Sequence, residues 1–231
     1  MSATIPNLEL LGKWLQARVY HTDYRPIQLT QTLSIGSKLH QPTTMAVVSE
    51  LPTDLKIKDD LDNFIGYCLE TILDGNGVLL FCASKAACEK AAESVGRFMR
   101  SVLTGAESAL KRRLCAVINA SRQREFVDQF RKTAPKMDSL LAKTLLYGVA
   151  FHHAGLVMEE REAVERGFRQ GAVRMIAATS TLSAGVNLPA RRVIVRSPWG
   201  HPNRPGPYLS SAVYLQMIGR AGRKGIDEKG R

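Results

Sequence analysis

The sequence predicts an α/β fold, a parallel β-sheet flanked by helices, on three observations. Residues 59–104 read as helix, buried strand, helix within about 45 residues, the unit of a layered α/β domain. Three more short apolar runs follow, at 148–153, 173–178 and 192–195, with charged or polar segments between them. Val78-Leu79-Leu80-Phe81-Cys82 is continuously apolar rather than alternating, as in strands buried on both faces.

Taken in order, Leu8, Leu11, Trp14 and Leu15 recur at helical spacing, with Asn7 placed to cap. Residues 27–33 alternate apolar and polar and predict a strand. Residues 36–58, polar and holding Pro42 and Pro52, read as a connector with a short strand at Met45–Val48. Leu61, Phe64, Ile65, Cys68, Leu69, Ile72 and Leu73 form one apolar stripe on a helix capped by Asp59 or Asp60 and ended by Gly75-Asn76-Gly77. After the strand at 78–82, Ser84 caps a second amphipathic helix whose stripe runs from Cys88 through Met99 to Val102.

Residues 104–147 read as basic helix broken at Pro135. A strand at 148–153 ends in two histidines and Ala154-Gly155. A charged helix spans Glu159–Phe168, with Glu162/Arg166 and Glu165/Arg169 at supportive spacing. Strands at 173–178 and 192–195 follow, then a loop rich in proline and glycine at 197–207, and a last helix from Tyr214. Three of the four strands run into polar loops of small residues, and open α/β sheets bind ligands at that edge.

Composition narrows the function. No run approaches 18 apolar residues, so no membrane span is expected, and the N-terminus lacks the pattern of a signal peptide. Cys68, Cys82, Cys88 and Cys115 show neither a CxxC pair nor metal spacing; they read as reduced core thiols of an intracellular protein, with no metal site. The net charge is +11 and clustered: residues 97–136 carry ten Lys/Arg against three acids, and 191–231 carry nine against two. Such clustering points to a polyanion, foremost nucleic acid, although a solvated basic surface accounts for the charge equally well.

The chemistry-bearing stretches lie late in the chain. Gln216-Met217-Ile218-Gly219-Arg220-Ala221-Gly222-Arg223 sets two arginines three residues apart, each preceded by glycine, so both can reach one polyanion. A solvated helix end favoured by the dipole is the bland alternative, weakened by the two glycines. Ala178–Ala190 carries hydroxyls, small residues and an amide directly after a strand, suited to phosphates or to ordinary Ser/Thr capping. His153 is a candidate donor to a phosphate or base, with Gly155 marking a close backbone approach. No GxxxxGK[ST] loop occurs, and no Asp-Glu pair follows a strand to hold Mg²⁺.

Together these stretches resemble the superfamily 2 helicases. Ser2-Ala3-Thr4 is similar to motif III, Phe81-Cys82-Ala83-Ser84 to motif IV, Phe151–Leu156 to the HHAGL element, Ala178–Ala190 to motif V and Gln216–Arg223 to motif VI, all in the family's order. The spelling of the last two is nearest to the branch of DNA repair helicases formed by polymerase theta, the polymerase-theta-like helicases and their archaeal homologue. The resemblance covers almost the whole chain and is weakest at 36–58 and 104–140.

The resemblance implies a RecA-like second lobe over residues 25–231, preceded at 1–24 by a remnant of the first lobe, so that a piece of a longer protein is expected. It implies ATP as cofactor, with Mg²⁺ bound mainly by the first lobe, and a 3′-to-5′ DNA helicase at work in nuclear DNA repair. By the same resemblance Arg220 and Arg223 are arginine fingers and Gln216 positions the γ-phosphate or the attacking water. Gly185 and Asn187 line the ribose. Ser84, His153, Gly155, Thr179 and Ser180 face single-stranded or forked DNA, while Ser2 and Thr4 couple hydrolysis to strand movement. A related RNA helicase and a non-catalytic nucleic-acid-binding module are the alternatives.

Overall fold

A computed structural model describes residues 7–20, 28–183, 186, 188–197, 208–222 and 229–230. The first helix, α1 (Leu8–Trp14), forms as the leucine spacing predicts. Asn7, however, sits in the left-handed region at φ 58° and its side chain makes no cap bond. Of the predicted stripe, Trp14 and Leu15 are exposed and Leu8 and Leu11 are only half-buried.

The expected strand at 27–33 is two strands with different partners. β1 (Gln28–Leu29) pairs in parallel with Lys229–Gly230 near the other end of the chain. β2 (Leu33–Ile35) opens an antiparallel meander with β3 (Lys38–His40) and β4 (Val47–Glu50). The region read as a connector is therefore a small sheet. Gly36, at φ 58°, takes the first central position of the two-residue turn between β2 and β3, which a side chain would strain.

α2 (Phe64–Leu73) starts three residues later than its apolar stripe suggests. Leu61 stays 94% exposed in the preceding turn, and Asp60 reaches forward so that its Oδ2 accepts the Gly66 N–H at 3.1 Å. β5 (Val78–Phe81) is wholly buried. α3 (Lys85–Thr104) begins as predicted, with the Ser84 Oγ accepting the Ala87 N–H at 3.2 Å, and buries Cys88, Ala91, Ala92, Val95 and Met99.

The basic segment resolves into α4 (Ala109–Val117), α5 (Ala120–Thr133) and α6 (Ser139–Leu145), each with a polar cap from Ser108, Asn119 or Asp138. β6 (Val149–His152), α7 (Met158–Arg169), β7 (Met175–Ala178), β8 (Arg192–Val195) and α8 (Ser211–Ile218) follow, and β9 is the Lys229–Gly230 pair. Of the expected ion pairs on α7, Glu165–Arg169 forms at 3.2 Å. The Glu160 carboxylate accepts the N–H groups of Val157 and Asp138, tying α7 to the start of α6.

The central sheet has the order β6-β7-β5-β8, all parallel, and this is the predicted α/β architecture. Helix α3 packs over β6 and β7 beside α6, α7 packs on α5 and β6, α2 on β5 and α4, and α8 on β8. β5, β6 and β7 are buried along their whole length, which explains their unbroken apolar sequence. Three of the cysteines are buried thiols as expected, but Cys115 on α4 is exposed.

Candidate functional site at the C-terminal edge of the sheet

The strand register makes this edge. Phe81 pairs with both Ala178 and Val195, and Ala178 with His152, so four strand ends stand in one row. Whatever follows them emerges side by side. After β5 come Cys82, Ala83 and the half-buried Ser84. After β7, Thr179 Oγ1 lies 2.8 Å from Thr181 Oγ1 and Ser180 is exposed on a turn of 3-10 helix, Ser180–Ser183. Ser197, not singled out in the sequence, joins the row after β8. Its signal was its place at a fourth strand end.

The turn after β6 is organised by His153. The ring is buried and stacks on Phe151 with centroids 5.3 Å apart. Its Nδ1 accepts the Gly155 N–H at 3.1 Å. A Cβ at Gly155 would lie 3.0 Å from the ring, so the close approach marked by this glycine is to His153 itself. Ala154 and Gly155 are both exposed, so the turn presents little side chain to solvent.

Helix α8 runs beside β8, and its Met217 lines the same edge. Met217 is buried, Gln216 and Arg220 are partly buried, and Gly219 closes the helix. Beyond it the backbone is stitched to the segment ahead of β8. The Ala190 N–H donates to the Arg220 carbonyl at 2.9 Å, and the Gly222 N–H donates to the Ala190 carbonyl at 2.7 Å. Gly222 holds φ 94°, a conformation that suits glycine. Burial holds the Arg220 guanidinium below its usual basicity. Arg223, Gly185, Asn187, Ser2 and Thr4 lie outside the described residues.

Between the strand ends and α8 lies a hollow of about 40 Å³, lined among others by Phe81, Cys82, Ser180, Val195, Ser197 and Met217. Enclosed ligand sites run to roughly 300–1,000 Å³, so this hollow by itself encloses no ligand of that size. No group of three or more His, Cys, Asp or Glu that could hold a metal stands among the described residues. Nor is any helix among them long and apolar enough to cross a membrane.

Not all the positive charge points outward. Arg192 is buried against α2, with Nη1 2.6 Å from Glu70 Oε2, and Arg196 pairs with Asp62 at 2.6 Å while lying over the Phe64 ring. Arg113 pairs with Asp54 at 2.8 Å. The clusters counted in the sequence are partly used within the fold.

His152, on the strand itself, gives a test of the packing. Burial pushes its imidazole below the usual range, opposed by Glu165, whose Oε1 lies 3.0 Å from Nε2, with Arg161 adding to the lowering. The unfolded chain therefore binds the extra proton first as pH falls. Stability should be fully present above about pH 6.5, fall below it toward the folded-state pKa and level off beneath that, with a slope of at most about 1.4 kcal/mol per pH unit. Thermal melts across this window should show a shallower slope for His152→Gln than for the unaltered chain.

A parallel sheet with its strand ends in one row, flanked by helices on its faces, defines a RecA-like α/β lobe. Residues 109–225, just over half of the chain, match the model for the helicase conserved C-terminal domain, and the chain belongs to that family. Over its whole length it is 44% identical to DNA polymerase theta of Mus musculus, spanning 9% of that protein. It is 34% identical to Helicase POLQ-like of Homo sapiens and 33% identical to the ATP-dependent DNA helicase Hel308 of Caldivirga maquilingensis, again over all of this chain, covering 20% and 28% of those proteins. The chain thus spans less than a third of each of these relatives.

Proposed function

We propose that the chain supplies one half of the ATP site, and one wall of the single-strand path, of an ATP-dependent DNA helicase motor. The observation that carries the reading is the pair of backbone bonds from Ala190, which fix the backbone around Arg220 against the segment ahead of β8. A guanidinium on a backbone fixed at two points is pre-oriented for charge that develops in a transition state.

ATP, when bound against this edge, supplies the phosphoanhydride whose cleavage drives the motor. Arg220, with Arg223, stabilises charge on the terminal phosphate, and Gln216 orients that phosphate or the attacking water. Gly185 and Asn187 line the ribose. Ser84, Thr179 and Ser180 offer hydroxyls to the phosphates of a DNA strand, contacts that position without reading sequence. Gly155 leaves its turn open to the strand, with His153 holding the turn from beneath. Ser2 and Thr4 couple hydrolysis to strand movement. Direction, 3′ to 5′, and a place in nuclear DNA repair rest on the resemblance alone.

The 231 residues contain no GxxxxGK[ST] loop. Alone, they should therefore hydrolyse no ATP above buffer, with or without DNA, yet bind single-stranded oligonucleotides with an affinity that falls steeply with salt. Adding a first lobe that carries the phosphate loop should produce DNA-stimulated turnover. Vigorous phosphate release by the chain alone would overturn this reading.

A further inference from the structure

We infer that Glu89 is a positioning residue for the turn after β6, acting through His153. The inference rests on the reading of this edge as strand-facing, and its geometry stands apart from that reading. Lys85 and Glu89 are four residues apart and so share one face of α3, which lies over the turn. The Lys85 Cδ passes 3.6 Å from where a Cβ of Gly155 would stand. One turn further on, Glu89 Oε1 stands 3.0 Å from His153 Nε2.

The Gly155 N–H donates to Nδ1, so in the neutral ring Nδ1 is the acceptor and the proton sits on Nε2. That N–H is buried and has no aligned hydrogen-bond partner; the Glu89 oxygen stands close to it but off the straight line. The carboxylate therefore favours one tautomer of His153 by its charge and by its readiness to swing into line, since 43% of its side chain is exposed and free to adjust. The His153 side chain, 4% exposed and stacked on Phe151, has no such freedom.

The consequence reaches the turn. With the proton on Nε2, Nδ1 stays open to the Gly155 amide and the turn is held. With the proton on Nδ1, two donors would face each other and the Gly155 bond would be lost. Removing Glu89 leaves the Gly155 amide alone to select between the two, so the turn should loosen although Glu89 stands outside it on α3. A carboxylate on the helix thereby sets the shape of a loop on the sheet.

The test uses the full chain, labelled with ¹⁵N-histidine, and reads the His153 tautomer from long-range ¹H–¹⁵N correlations, assigned with a His153→Gln variant. Hydrogen exchange of the Gly155 amide and binding of fluorescent oligothymidylate are measured alongside. The unaltered chain should carry its proton on Nε2. Glu89→Ala should show mixed tautomers, faster Gly155 exchange and about tenfold weaker oligothymidylate binding, the scale of one charge-assisted contact. Glu89→Gln, which keeps an acceptor oxygen, should restore the tautomer and most of the binding.

An unchanged tautomer and unchanged Gly155 exchange in Glu89→Ala would overturn the inference, as would a shifted tautomer with unchanged Gly155 exchange, whereas a shifted tautomer and faster exchange with undiminished binding would count against the strand-facing reading alone. If the unaltered chain binds no oligothymidylate at all, the strand-facing reading falls instead, and the tautomer and exchange still decide whether Glu89 governs the turn.

Discussion

Replacing Arg220 by alanine is expected to lower DNA-stimulated ATP turnover about 10³-fold or more, in a preparation that joins this chain to a first lobe carrying the phosphate loop. The reason lies in what the substitution removes and what it leaves. The bonds that position this segment run through the backbone of Ala190, Arg220 and Gly222, so the side chain can go without releasing them. The loss should thus fall on kcat, with the KM for ATP little changed, as for an interaction made chiefly in the transition state. Arg220→Lys should not restore turnover, because an ammonium is a point charge without the planar fork that grips two phosphate oxygens. Oligonucleotide binding without ATP is the control and should stay as in the unaltered chain. A fall of less than about tenfold in kcat would remove Arg220 from the proposed role.

The parallel sheet was legible because strands buried on both faces write unbroken apolar runs, and Val78–Phe81 and Met175–Ala178 do so. The helix after β5 was legible from Ser84 and its stripe, since a cap and a 3.6-residue period are local features. The meander at 33–50 was not. Its strands are three or four residues long and mostly exposed, so no buried face imposes alternation. The usable signal was Gly36-Ser37, a hairpin turn pair set between two short apolar segments.

At the candidate edge, the hydroxyl loops and glycines could be read from composition. The stitching of Ala190 to the end of α8 could not, because backbone bonds leave no mark on side-chain identity. Charge misled in a related way. Arg192 and Arg196 reach partners 125 and 134 residues away, and nothing near them in the sequence tells a buried arginine from one that awaits a polyanion.

Arg192 carries the largest expected effect on stability. Its side chain is 8% exposed; Nη1 lies 2.6 Å from Glu70 Oε2 and 2.9 Å from the Tyr67 carbonyl oxygen. Arg192→Met keeps most of the aliphatic stem but strands the carboxylate, and breaking a buried pair from one side costs about 3–5 kcal/mol. Glu70 keeps 28% of its side chain exposed and can recover some hydration, which sets the expectation at the low end, about 3 kcal/mol. In a chain of this size that is a fall of roughly 6–12 °C in Tm. Arg192→Met combined with Glu70→Met should regain most of it, since no charge is then left without its partner. The Tyr67 carbonyl does not spoil the exchange, because the Thr71 hydroxyl donates to it at 3.2 Å. A double-mutant cycle by thermal melting measures the coupling, and a single-variant cost under about 1 kcal/mol would mean that the pair is no more than a surface bridge. Arg192 opens β8 and Glu70 sits on α2, so the pair ties the last strand of the sheet to the helix beneath it. Ala190, two residues ahead of Arg192, holds the Arg220 backbone, and the same strand ends at Val195 beside Phe81, so a loosened β8 would disturb both ends of the candidate site.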